Sequence, residues 1–129
     1  MGANLTILSN LTGPRVFTTY GSGGRPLNSA FTVSSTRDSI VSYSLSAVST
    51  ITLTGGTTSA GILQTSPDGT TWTGISEASS GFTGTVIVGV AITNTQIGVV
   101  CGPVPAGYQV RILTSGTAPT FVMGAEVLL

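Results

Sequence analysis

From Val41 to Ala47 every second residue is apolar: Val41, Tyr43, Leu45 and Ala47 alternate with Ser42, Ser44 and Ser46. A repeat of two fits the pleat of a β-strand, whose successive side chains point to opposite faces of a sheet. The segment therefore reads as a strand with one face on a core and one polar face. Ile51 and Leu53 continue the alternation between Thr50, Thr52 and Thr54, and Gly55-Gly56 ends it. Gly61 to Thr65 and Thr71 to Ile75 flank Ser66-Pro67-Asp68-Gly69, where Pro fixes φ and Gly permits a positive one, so a hairpin is expected there.

Further apolar runs lie at Val86 to Val90 and Gln96 to Val100, with Thr93-Asn94-Thr95 read as their separator and a Gly/Ser-rich connection expected from Glu77 to Gly81. Pro103 to Gly107 reads as a break before the run Tyr108 to Leu113, and Pro119 precedes the last run, Thr120 to Leu129. No stretch holds apolar residues at helical spacing over three turns. About seven or eight short strands, with turn signals at intervals of roughly 8–12 residues, predict an all-β chain, an antiparallel β-sandwich of jelly-roll type. A length of 129 residues suits one domain. Gly13-Pro14 and Gly21-Ser22-Gly23-Gly24-Arg25-Pro26 interrupt any long pairing, so residues 1–27 are expected to be an extended N-terminal arm and residues 28–129 the β-sandwich domain.

Charge narrows the function. Only 6% of the residues are charged, against about 25% in an ordinary globular chain. The cations are Arg15, Arg25, Arg37 and Arg111, the anions Asp38, Asp68, Glu77 and Glu126, and the formal net charge is +0. Without a basic run the electrostatic footprint of nucleic-acid binding is missing, so no nucleic-acid partner is expected. A mean hydropathy of +0.47 argues against disorder. So few charges protect poorly against self-association, and much of the surface is expected to be buried against other chains. No run approaches the 18 or so apolar residues of a membrane span, nor does the N-terminus have a signal-peptide layout, so no membrane partner is expected. The myristoylation-like Met1-Gly2 with Thr6, and the sequons at Asn4 and Asn10, are patterns that a Ser/Thr-rich chain produces by chance.

The chemistry of catalysis is thinly represented. There is no His and no Lys, hence neither the commonest general base nor an amine nucleophile. Cys101, the one cysteine, follows Val99-Val100 and reads as a buried, inert core thiol. Asp68 reads as a turn former, and Glu126, in the last strand, as a salt-bridge partner. Trp72, beside the hairpin turn, reads as sheet-face or core packing ahead of a sugar platform. Neither the Cys/His clusters of zinc sites nor the grouped carboxylates of calcium sites are present, and no Gly-rich phosphate loop is found. No enzyme activity, metal or cofactor is expected.

Residues 28 to 129 carry segments that, taken in order, point to a family. They are Arg37-Asp38 leading into Val41-Ser42-Tyr43-Ser44, Leu53-Thr54-Gly55-Gly56, and Ser66-Pro67-Asp68-Gly69-Thr70-Thr71-Trp72. Then come Val104-Pro105-Ala106-Gly107-Tyr108 with Val110-Arg111, Pro119-Thr120-Phe121, and Gly124-Ala125-Glu126-Val127-Leu128-Leu129. In these the chain resembles a small β-sandwich module of tailed-bacteriophage structural proteins, found as capsid decoration (cement) proteins or as C-terminal fibre modules. Ala125 departs from the Gln expected of the family, and residues 1–27 lie outside the resemblance. The resemblance implies a non-enzymatic virion component at the capsid surface, with the major capsid protein as partner and a homotrimer as its own assembly. The alternative it leaves open is a receptor-binding or fibre module recognising the host surface. A chain of 129 residues leaves little room for a fibre shaft, which favours decoration. The arm and Arg15, Arg25, Arg37 and Arg111 are the expected partner contacts, since guanidinium pairs well with carboxylates.

Overall fold

The computed structural model describes residues 14–82, 84–86 and 91–129. The strands are β1 (Val16–Tyr20), β2 (Phe31–Thr32), β3 (Ser39–Thr52), β4 (Gly55–Gly56), β5 (Thr58–Ser66), β6 (Thr73–Gly81), β7 (Ile92–Val104), β8 (Gln109–Gly116) and β9 (Thr120–Leu128). They form two antiparallel sheets. In sheet A, β1 pairs β9, β9 pairs β3, and β7 pairs the other side of β3, with the short β4 beside the far end of β3. In sheet B the order is β2-β8-β5-β6. The chain crosses between sheets in the manner of a jelly roll, so the all-β, antiparallel sandwich expected from the alternation is the fold.

The alternation places the core. Val41, Tyr43 and Leu45 of β3 point inward and meet Leu63 of β5, Val110 and Ile112 of β8, and Val100 and Val104 of β7. All eight are at most 2% exposed, which makes this the best-packed region of the sandwich. Phe121 tilts against the Tyr43 ring, and Phe31 meets that ring edge-on. On one flank β6 crosses close to β7. A Cβ on Gly98 would lie 2.6 Å from the Ala78 Cβ, so this approach depends on the missing side chain.

Several local expectations change. The segment Glu77 to Gly81 belongs to β6, because Ala78 and Ser80 alternate inward opposite Gly61 and Ser59. Thr93-Asn94-Thr95 is no separator but part of β7, paired with Thr50, Ser49 and Val48. β7 also runs through Pro103 to Val104; proline is tolerated there because β7 borders its sheet. The run at Val86 to Val90 falls largely on residues 87–90, outside the described residues. Within the expected arm, Val16–Tyr20 is β1, hydrogen-bonded along β9, and Leu27 packs on the core, while residues 1–13 lie outside the described residues.

Candidate interaction site

The register of sheet A fixes what its outer face presents, since residues opposed across a ladder share a face. Ile40 opposes Val127 and Pro103, and Phe17 lies beyond Val127. In the next row Ser42 opposes Ala125 and Cys101, with Thr19 beyond Ala125. In the third, Ser44 lies between Met123 and Val99; in the fourth, Ser46 opposes Ile97. Two apolar ridges therefore flank a trough of small residues. A β-bulge in β9 between the partners of Ser44 and Leu45 sets Met123 at the rim. The trough is a groove of about 380 Å³ lined by Thr19, Ser42, Ser44, Met123 and Ala125, with Tyr20 and Gly124 at its floor.

Phe17 is 66% exposed, Ile97 63% and Met123 57%, and none of the residues in these rows is charged. Contiguous exposed apolar surface of this kind marks a contact surface on a soluble protein. The outer face of sheet B differs: it carries Glu77 opposite Ile62 and Arg111 opposite Gln64.

Beneath the β1 end of the face lies a polar cluster. Glu126, 4% exposed, points inward from β9. Arg25 grips it with two hydrogen bonds, Nε to Oε2 at 2.8 Å and Nη2 to Oε1 at 2.7 Å. The Tyr43 hydroxyl donates to Oε2 at 2.5 Å and the Tyr20 hydroxyl to Oε1 at 3.1 Å. Each carboxylate oxygen thus accepts two hydrogen bonds, the arrangement a buried charge requires. Burial pushes the Glu126 carboxyl up, but the Arg25 and Tyr43 hydrogen bonds outweigh it and hold the group below the usual carboxylate range. Burial, then the bond to Glu126, pushes the Tyr43 hydroxyl far above its ordinary value. The Arg25 guanidinium also lies over the Tyr20 and Phe31 rings, 4.8 and 4.2 Å from their centroids. Asn28 anchors the same segment: it takes a positive φ of 60°, its Nδ2 donates to the Thr114 hydroxyl of β8, and its Oδ1 accepts from the Thr114 main-chain amide.

The four arginines expected to contact partners have separate fates. Arg25 is turned inward, because its two bonds to Glu126 close the open flank of the sandwich. Arg37 donates through Nε to the Leu129 main-chain oxygen at 2.9 Å, and the Leu129 amide donates to the Asp38 carbonyl, which ties the end of β9 to the start of β3. Arg111 donates to Gln64 Oε1 at 2.7 Å and stacks over half-buried Trp72 at 4.2 Å, on the outer face of sheet B. Trp72 is thus sheet-face packing. Arg15 is exposed just ahead of β1 and is the member of the four that faces solvent. Cys101 is likewise corrected. It is exposed, because its neighbour Val100 takes the inward position and leaves the thiol on the outer face opposite Ser42.

Asp68 is the turn former expected of it. Its Oδ1 accepts from the Thr70 and Thr71 amides, both at 2.8 Å, and from the Ser66 hydroxyl at 2.9 Å. Those bonds, Thr71's first, hold the carboxyl far below its ordinary range, so their contribution is present above about pH 4 and is lost only as pH falls toward the lowered value. Asp68→Ala is expected to leave the fold intact while the Thr70 and Thr71 amides exchange faster with deuterium; unchanged exchange would show that the carboxylate does not hold the turn.

Phe17, Ile40, Ile97, Val99 and Met123 were not singled out by sequence reasoning. One signal for them exists: Ile97-Gly98-Val99-Val100-Cys101 is continuously nonpolar, and a strand that does not alternate is one with both faces to cover. No protein-family model matches this chain, and no curated protein matches it. Among solved structures, that of Eiger TNF from S. frugiperda superposes with a TM-score of 0.46 at 8% identity, covering 87% of this chain and 83% of that one. A likeness at that level carries no argument about this chain, whose sandwich fold rests on its own strand pairing.

Proposed function

We propose that the protein is a non-enzymatic structural component of a virion, a capsid decoration protein that self-associates and binds the outer capsid surface. The observation that carries this reading is the uncharged outer face of sheet A, where Phe17, Ile97 and Met123 stand more than half exposed. Such a face gains binding energy by leaving water, at about 25 cal/mol per Å² of apolar area. The four rows from Phe17 to Ile97 offer no carboxylate, guanidinium or imidazole to a substrate. The family resemblance of residues 28–129 supplies the class of assembly, with the major capsid protein as partner and a homotrimer as the assembling unit.

Glu126, the most buried carboxylate, supports a non-catalytic reading in its own way. Both its oxygens are engaged by Arg25 and the two tyrosines, so it is committed to holding the sandwich shut. The test is to add purified protein to phage shells that lack it and to follow co-sedimentation and shell melting. Saturable binding across the shell with a raised melting temperature is the expected result. Protein that ignores shells but binds host cells or glycans would replace this reading with the receptor-binding or fibre module.

A further inference from the structure

We propose that the outer face of sheet A is closed by a second copy of this chain, with Phe17 of one copy seated in the groove over Ser42, Ser44 and Ala125 of the other. The inference deepens the reading above, resting on it only for the premise that the protein assembles.

Three features of the face favour a second copy over another occupant. The first is shape. One face carries both a protruding ring, Phe17 at 66% exposure, and a groove of about 380 Å³ lined in part by the small side chains of Ser42, Ser44 and Ala125. A surface that holds knob and hole together is complementary to itself, the condition for homo-oligomer contacts. The second is charge. A partner of opposite charge has nothing to recognise in rows that contain no charged residue, whereas two neutral faces meet without repulsion or unpaired ions. The third is area. β7 is 13 residues long, and with a rise of about 3.3 Å per residue and strands about 4.8 Å apart, sheet A presents roughly 600 Å² per copy in projection. Two such faces come to about 1,200 Å², the lower bound of stable protein interfaces.

The site within the face follows from the same geometry. Phe17 ends one ridge through its pairing with Val127, and the groove occupies the adjacent row, where Thr19 opposes Ala125. An aromatic ring entering a pocket of small residues is the usual form of an interface anchor. Hydroxyls of Ser42 and Ser44 stay at the groove wall, able to keep water or accept a backbone amide.

The test is the mass of the full chain by light scattering over a concentration series, for the wild type, Phe17→Ser and Ser42→Arg. Both substitutions lie on the outer face, and circular dichroism verifies that each variant is folded. The wild type is expected at a multiple of 12.9 kDa, and each variant to associate at least about tenfold more weakly. A wild type that stays at 12.9 kDa at every concentration overturns the proposal, whether residues 1–13 of the same chain or an unlike protein cover the face. Folded Phe17→Ser and Ser42→Arg chains that associate as tightly as the wild type overturn it too. Shell binding is scored separately: an oligomer abolished by Phe17→Ser that fails to bind shells supports this contact and defeats only the capsid reading.

Discussion

Glu126→Ala is expected to lower the unfolding free energy by about 3–5 kcal/mol, the cost of removing one partner of a buried ion pair and leaving the other uncompensated. Arg25 would keep its place over the Tyr20 and Phe31 rings but lose both hydrogen bonds, and the Tyr43 hydroxyl, within the core, would lose its acceptor. Tyr43→Phe separates the second effect from the first and should cost less, about 1.5–3 kcal/mol for one hydrogen bond to a charged group. The two substitutions share a partner, so the double variant should be less destabilised than the sum of the singles. Urea denaturation of the four proteins measures all three quantities. A Glu126→Ala chain as stable as the wild type would remove the cluster from any structural role.

The same cluster sets the pH dependence. Glu126 is held below the usual carboxylate value of about 4.5, so the unfolded chain takes up its proton first as the solution is acidified. Its contribution is therefore present above about pH 4.5 and lost as pH falls through the lower folded value. Tyr43 behaves in the opposite sense: its hydroxyl is raised, so its contribution holds below about pH 10 and is lost as pH climbs further. Glu126→Ala should flatten the acid limb of the stability curve relative to the wild type.

Leu45→Ala is expected to cost about 3 kcal/mol, because Leu45 is fully buried between the sheets and its loss leaves a cavity. Its Cδ1 fills the space that a Cβ on Gly61 of β5 would occupy. Gly61→Ala alone should therefore cost about 1–3 kcal/mol by overpacking. In the Leu45→Ala background the added methyl has room, so Gly61→Ala should be nearly neutral or stabilising there. Strict additivity in denaturation experiments would contradict this contact between β3 and β5.

These two sites differ in how far the sequence displays them. The Val41 to Ala47 alternation is legible because the inward positions are all apolar and the outward ones are serine, so one strand suffices to orient itself. β7 is harder, since Val99, Val100 and Cys101 are all apolar and only the register against β3 decides that Val100 turns in and Cys101 out. The Glu77 to Gly81 stretch has the composition of a loop because its inward side chains, Ala78 and Ser80, must be small where the sheets converge. The Arg25–Glu126 pair joins residues 101 positions apart, and no local pattern encodes such a partner. The apolar rows of the candidate face were hidden for a similar reason. Phe17, Ile40, Met123 and Val99 come from four strands and become one surface only when the sheet is assembled.

Cys101 provides the most direct measurement of the central claim, that the outer face of sheet A is the surface buried in assembly. It is the sole cysteine, it is exposed, and it lies in the same row as Ser42 and Ala125 at the groove. Its alkylation rate by a maleimide can be followed in dilute protein, in concentrated protein and on phage shells, with the denatured chain as the upper reference. The account predicts rapid alkylation of the dilute chain and strong protection once the protein is self-associated or shell-bound. Alkylation equally fast in the assembled and the dilute states would contradict it.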